Sequence, residues 1–300
     1  MPKIIIRKFK RSELLDAFKL IIKSANDLRV KNGRKPWDAI VTEVPSIIYH
    51  MHDTDPDGTF GAYHDGKLVG YAAARMRGRQ WYLGYLFVDP DFQVQGVGRK
   101  LLERAWAYGI EIANTHALFT FPYNETAVAL YSSFGMTPIT PFFEMSARND
   151  RKSDIHPAKL KCEQDGSPKA IARINRLERE IRGYPHAVDH EFFASDPRHA
   201  MYQFYHGAKW AGYAVVSRNG LIAPAGAVEP KYLPDIVTHA QNCCIENGAD
   251  ISRIWVGGPN AAVYNRLITL GFRLQELTVF LSTKPYGDFY RYCPAHLAMF

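Results

Sequence analysis

The chain repeats itself, and the repeat limits the fold more than any other feature of the sequence. Gly70-Tyr71-Ala72 recurs as Gly212-Tyr213-Ala214, Val88-Asp89-Pro90 as Val228-Glu229-Pro230, and the pair Asn124 and Gly135 as Asn260 and Gly271. The three matches keep their order, and each copy follows about 140 residues later, as expected of a duplicated unit. A 300-residue chain that is 47% hydrophobic is long enough to bury two cores of ordinary domain size. We therefore expect a first domain over 1–148, a polar linker over 149–156 and a second domain over 157–300.

Periodicity gives the same element order in both halves. In the first, Ile4 to Phe9 reads as a strand and Ser12 to Val30 as a helix capped by Ser12. Phe60 to His64 and Lys67 to Arg75 flank the hairpin signal Asp65-Gly66, and Trp81 to Val88 is a third strand. Leu101, Leu102, Ala105, Trp106, Gly109, Ile110 and Ala113 share one helical face, followed by a strand over His116 to Phe121 and a helix over Glu125 to Phe134. Phe142 to Ala147 closes the unit as a last strand. The second half repeats this from Ala158 to Leu281. The expected fold class is α+β with mixed α/β character: two domains, each a mostly antiparallel, twisted central sheet flanked by helices.

One segment of the first half has no counterpart. Gln93-Val94-Gln95-Gly96-Val97-Gly98-Arg99 stands between the third strand and a helix that opens with Lys100-Leu101-Leu102. Two glycines let a backbone approach a ligand closely, and a helix start offers unpaired N–H groups to an anion, so this run reads as a pyrophosphate cradle. A dinucleotide fingerprint needs a third glycine three residues after Gly98; Leu101 stands there, which argues against a nicotinamide cofactor. After Pro230 the chain runs Lys231-Tyr232-Leu233-Pro234-Asp235, without a glycine.

These residues resemble the GNAT superfamily of acyl-CoA-dependent N-acyltransferases. The signature Q/R-x-x-G-x-G/A is met by Gln93, Gly96 and Gly98, and the later N-x-x-A-x-x-L-Y-x-x-x-G pattern by Asn124, Ala127, Leu130, Tyr131 and Gly135. The second half looks like a degenerate copy, similar to that of tandem members. The resemblance implies acetyl-CoA as cosubstrate, its pyrophosphate on the backbone from Val94, Gln95, Gly96, Val97, Gly98 and Arg99 to Lys100, and its pantetheine arm beside Phe87 and Val88. It also implies that Asn124 bonds the pantetheine amides, where a plain helix cap is the alternative. Tyr131 is implied as the acid that protonates the departing sulfur, where an aromatic on the buried face of its helix is the alternative. Counting four back from Gly271 gives Leu267, so the resemblance implies one active site per chain, in the first domain.

The expected activity is acetyl transfer from acetyl-CoA to a primary amine by direct attack; a non-catalytic acyl-CoA-binding or regulatory module is the alternative. Family members often carry a glutamate on the strand before the cradle, but Trp81 to Val88 holds no carboxylate. Tyr82, Tyr85, Glu144, His50, His52, His64 and His116 are weighed as bases and none is chosen; Asp53, Asp55 and Asp57 are weighed as attracting a cationic acceptor, with a turn as the simpler reading. The acceptor pocket is expected within Asn26 to His64, with the amine itself unassigned.

Composition narrows the partners. The net charge of +7 comes from basic residues spread along the chain, with small clusters at Lys31, Arg34 and Lys35 and at Arg148, Arg151 and Lys152 that read as solvated surface rather than a nucleic-acid face. The four cysteines lack metal-ligand spacing, so no metal is expected. No stretch reaches membrane-span length and Met1 to Lys8 is too short an apolar run for a signal peptide, so we expect a cytoplasmic monomer or homodimer with no membrane partner.

Overall fold

Asp65 and Gly66 both adopt positive φ, at 47° and 77°, and so form the tight turn that joins Thr59–His64 to Lys67–Arg77 as a hairpin. Around this hairpin the first of two compact units is built; the division falls between Thr137 and Pro138. The computed structural model describes residues 4–149 and 155–300. Most of the expected linker, with Arg151 and Lys152, lies outside the described residues.

The first unit runs β1 (Ile5–Lys8), α1 (Leu14–Lys31), α2 (Ser46–Thr54), β2 (Thr59–His64), β3 (Lys67–Arg77), β4 (Gln80–Val88), α3 (Val97–Ala107), β5 (Thr115–Thr120) and α4 (Glu125–Ser132). Its strands follow one another in order across the sheet, antiparallel as far as β4, with β5 parallel to β4. Ser12 does not cap α1. It lies in a 3₁₀ turn at Arg11–Glu13, where the Glu13 carboxylate accepts the Lys10 N–H at 3.1 Å. Nor does α3 reach Ala113: Tyr108 leaves the helical region, Gly109 turns to φ 80°, and Ile110 is exposed.

Helix α3 lies close on the sheet because Gly70 has no side chain beneath it; a Cβ there would stand 2.7 Å from a Leu101 methyl and 3.4 Å from Val97. The far end is held by Trp81, whose indole N–H donates to the Ala105 carbonyl at 2.9 Å. His116 stacks on Trp106 with ring centres 3.9 Å apart and 12° between planes, and Trp81 lies at 5.4 Å. Burial lowers the His116 pKa from 6.5 to about 4, so it is a neutral packing group at pH 7.

The second unit contains β6 (Thr137–Arg148) from Pro138 onward, then β7 (Lys161–Gln164), α5 (Pro168–Arg182), α6 (Ala187–Ser195), β8 (His199–His206), β9 (Lys209–Ser217), β10 (Ile222–Ala227), α7 (Leu233–Glu246), β11 (Ile251–Gly257), α8 (Ala261–Thr269), β12 (Arg273–Ser282) and β13 (Tyr292–Cys293). One sheet runs β13-β10-β9-β8-β7, and β6 stands between β12 and β11. The strand read from sequence as closing the first domain, with its boundary at 148, thus belongs to the second unit. It pairs antiparallel with β11, Met145 opposite Ile254, and Met145 and Ala147 enter the same apolar cluster as Ile254 and Val256.

A charged group lies at the centre of the second unit. The Glu178 carboxylate, fully buried, meets Arg182 at 3.2 Å and His190 at 3.2 Å and accepts a short hydrogen bond from the Tyr213 hydroxyl. Burial opposes its charge, but His190 and Arg182 outweigh burial and hold the carboxyl below the usual range.

Two predictions follow from these cores. Glu178→Gln leaves the buried Arg182 without a counter-charge and should cost about 3–5 kcal/mol in chemical denaturation, whereas a loss under about 1 kcal/mol would contradict the described network. His116 binds its proton less readily folded than unfolded, so its contribution is complete above pH ~6.5 and is lost as pH falls towards 4; the loss is on the order of 3 kcal/mol. His116→Phe should flatten stability over that window, measured by urea unfolding at several pH values; an unchanged slope would exclude this assignment.

Candidate active site

Strand β4 carries an extra residue opposite β3: Ala73 faces Tyr85 and Ala74 faces Leu83, leaving Gly84 as a bulge. Among the described residues, β5 pairs with β4 only from Gln80 to Leu83. Beyond the bulge the two strands part, and among the described residues no strand pairs with Tyr85 to Val88 on that side.

At the end of β4 the chain is pinned. The Val88 carbonyl accepts from the Ser24 hydroxyl and from the Gln93 side-chain amide, each at 3.0 Å. Asp89 accepts the Asp91 N–H at 3.2 Å and pairs with Lys23 at 2.8 Å. Gln95 folds back on the Asp91 carbonyl at 3.0 Å. Gln93, expected in the cradle, therefore serves the loop through its side chain, and the Val88 carbonyl is occupied by protein donors. Ser24, Lys23 and Asp89 are anchors that sequence reasoning missed; the Asp-Pro step at Asp89 was the available cap signal.

The loop then takes an unusual backbone path. Val94 is held at φ 60°, an outlier for a β-branched residue, with its side chain 92% exposed. Gly96 at φ 80° is the N-cap of α3 and offers no side-chain cap, and the first-turn N–H groups of Val97, Gly98 and Arg99 have no protein acceptor among the described residues. The Lys100 N–H already bonds the Gly96 carbonyl at 3.1 Å. Arg99 reaches the Ser133 hydroxyl at 3.0 Å and the Phe134 ring at 5.6 Å, tying α3 to α4.

Gly98 differs from the other glycines of this region. A Cβ there would sit 3.7 Å from Val88 and 3.9 Å from Leu130, ordinary contacts, and its φ is not positive. The fold admits alanine where the sequence keeps glycine, at a helix-propensity cost of about 1 kcal/mol.

Asn124 caps α4, its Oδ1 accepting the Ala127 N–H at 3.2 Å. Its amide nitrogen has no protein acceptor among the described residues. The cap and a ligand contact are thus compatible, one on each end of the side-chain amide. Tyr131 is 6% exposed on α4; burial alone raises its pKa, and no protein group bonds its hydroxyl among the described residues. Leu130, the preceding residue, is the one that approaches Gly98.

Most of the residues weighed as bases or acceptor attractors are placed elsewhere or already engaged, whereas Tyr85 stands on the parted end of β4. Asp55 accepts from the Met76 N–H at 2.8 Å, Arg77 at 2.7 Å and the Tyr108 hydroxyl at 2.9 Å. Asp53 pairs with Arg11, and Asp57 with Lys8. His52 lies beside Asp53 and Phe9, His64 against Phe92, and His116 between tryptophans. Tyr82 is buried under the Arg75 guanidinium, and burial raises the Tyr85 pKa. Glu144 stands opposite Trp255 in the second unit.

The corresponding parts of the second unit are changed. Helix α7 starts after Tyr232 with no glycine, and Asp235 in its first turn accepts the Lys159 and Leu160 N–H groups at 2.9 and 2.8 Å. Gly135 and Gly271 end their helices at φ 83° and 85°, and the next N–H returns to Tyr131 in one unit and Leu267 in the other. The missing hydroxyl is therefore a difference at one structural position.

Residues 23–136 match the acetyltransferase (GNAT) family model. No curated protein matches the chain in sequence. Among solved structures, a protein from Pyrococcus horikoshii described as an acetyltransferase is 16% identical with a TM-score of 0.79, over 99% of this chain and 96% of that one. A GCN5-related N-acetyltransferase from Sphaerobacter thermophilus is 16% identical with a TM-score of 0.69, over 96% and 98%. A tandem GNAT protein from the clavulanic acid biosynthesis pathway is 14% identical with a TM-score of 0.62, over 95% and 99%. Those likenesses give the fold over nearly the whole length, and within it residues 23–136 are the part that matches the GNAT acetyltransferase family model.

Proposed function

We propose that the first unit transfers an acetyl group from acetyl-CoA to a primary amine, at one active site between the α3 N-terminus, the parted ends of β4 and β5, and α4. The start of α3 supports the reading: Gly96 caps it in the left-handed conformation without a side chain, and the N–H groups of Val97, Gly98 and Arg99 have no protein acceptor among the described residues, which suits a phosphate.

Acetyl-CoA, when bound, supplies the thioester that is cleaved. The chain's own groups do the rest. The first-turn N–H groups of α3 hold the pyrophosphate, and the free amide nitrogen of Asn124 donates to a pantetheine carbonyl. The Tyr131 phenol, kept protonated by burial, gives its proton to the departing sulfur as the C–S bond breaks, and the proton that the attacking nitrogen loses on forming the amide restores the phenol. The acceptor is expected against the segment 26–64, where Trp37 lies 6.5 Å from Phe121 and Arg34 stands 4.6 Å over Tyr123. A non-catalytic acyl-CoA-binding module shares the cradle, and the lack of a carboxylate on β4 favours it; turnover separates the two.

Thiol release from acetyl-CoA with a panel of amines, amino acids, peptides and aminoglycosides tests the activity; tight CoA binding without turnover on any amine supports the module instead. Gly98→Val should abolish CoA binding in calorimetry while leaving the thermal midpoint nearly unchanged, and retained affinity would remove the cradle. Tyr131→Phe should lower kcat by about 10²-fold or more with KM little altered, and unchanged turnover would remove the acid role.

A further inference from the structure

Asn124 and Asn260 occupy the same place in their units. Their backbones agree within a few degrees, φ −91° and ψ 69° against φ −89° and ψ 66°. Each Oδ1 caps the following helix, accepting from Ala127 at 3.2 Å and from Val263 at 3.1 Å. The difference lies in the amide nitrogen. That of Asn124 has no protein acceptor among the described residues, whereas that of Asn260 donates to two consecutive carbonyls, Phe289 and Tyr290, both at 3.0 Å.

The strand edge tells the same story. In the second unit β11 meets the start of β10 through a parallel bridge, Leu221 with Arg253, as β5 meets the start of β4. Past Ile222 the edge of β10 is taken by the chain itself. Cys293 pairs with Ala225 and Tyr292 with Gly226, and the Ala227 N–H donates to the Arg291 carbonyl at 2.9 Å. Arg291 anchors the segment, donating to the Val228 carbonyl at 3.1 Å and pairing with Glu180 and Asp288 at 2.7 and 2.6 Å. Phe289, Tyr292 and Cys293 are all buried.

We propose that Phe289–Cys293 is a built-in ligand of the second unit, an extended peptide held in the groove that in the first unit takes the amide-bearing arm of acyl-CoA. The identification of the groove rests on the function proposed above. The chemistry of the occupant fits it: a run of amides bonds a free strand edge, and paired carbonyls meet an asparagine amide. The second unit is thereby closed to acyl-CoA by its own chain, in addition to lacking a glycine cradle.

Amide hydrogen exchange on the full chain, with and without saturating CoA, tests this. The Ala227 amide and the 289–293 segment should exchange slowly without CoA and keep the same rate with it, while Val97 to Arg99 slow on CoA addition. The double variant Asn260→Ala, Arg291→Ala should speed exchange at Ala227 by on the order of 10-fold while thiol release by the first unit persists. Fast exchange at Ala227 in the unaltered chain, a CoA-dependent change there, or undiminished protection in the double variant would each overturn the proposal. If the variant does not fold, the unaltered chain still decides. Absence of any CoA effect at Val97 to Arg99 would count against the proposed function and leave the occupancy of β10 standing.

Discussion

The site depends on one carbonyl. Val88 ends β4, and its oxygen receives both the Ser24 hydroxyl from α1 and the Gln93 amide from the loop. Those two bonds join a helix, a strand end and a turn at one point, and α3 starts from that point. With Gly70 letting Val97 and Leu101 settle on the sheet, the helix N-terminus is fixed relative to the bulged strand. Preorganised N–H donors need no rearrangement to meet an anion, which is what the proposed acyl-CoA cradle requires of the loop. The positive φ of exposed Val94 shows the loop held in a conformation its own side chain disfavours.

Much of this was legible in the sequence because local rules and tertiary demands agreed. Asp65-Gly66 made the hairpin it signalled, and the Gly96-x-Gly98 spacing opened a helix. Errors arose where distant packing decided. The strand at Phe142 to Ala147 has the same alternation whichever sheet receives it, and periodicity does not say which; the apolar cluster around Ile254 and Val256 took it. Strand β10, Ile-Ala-Pro-Ala-Gly-Ala, contains a proline, a glycine and small residues, so its pattern carries little strand signal, yet every residue is buried. The role of Gln93 as a clamp was hidden because a motif position does not reveal which way a side chain turns. Asp53, Asp55 and Asp57 illustrate the same limit: their partners are Arg11, Arg77 and Lys8, all remote in sequence or on another element.

The two units show how a duplicated fold diverges. The αL glycines, the capping asparagines and the helix-to-strand returns are retained at Gly135 and Gly271, at Asn124 and Asn260. The surface around them differs: where the first unit has its glycine loop the second has Tyr232, Pro234 and Asp235, where it has the Tyr131 phenol the second has Leu267, and the strand edge of the second is paired with Phe289–Cys293. The scaffold positions are shared, and in the second unit the Asn260 amide and the β10 edge find their polar partners within the chain.

The central claim is a single acyl-CoA cradle at the start of α3. Backbone amide chemical shifts recorded during a CoA titration test it most directly. The account predicts shifts concentrated at Val94 to Lys100 and at the Asn124 side chain, saturating at one CoA per chain, with Glu229 to Asp235 unmoved. Shifts centred on Glu229 to Asp235, or none at Val94 to Lys100 under saturating CoA, would contradict it.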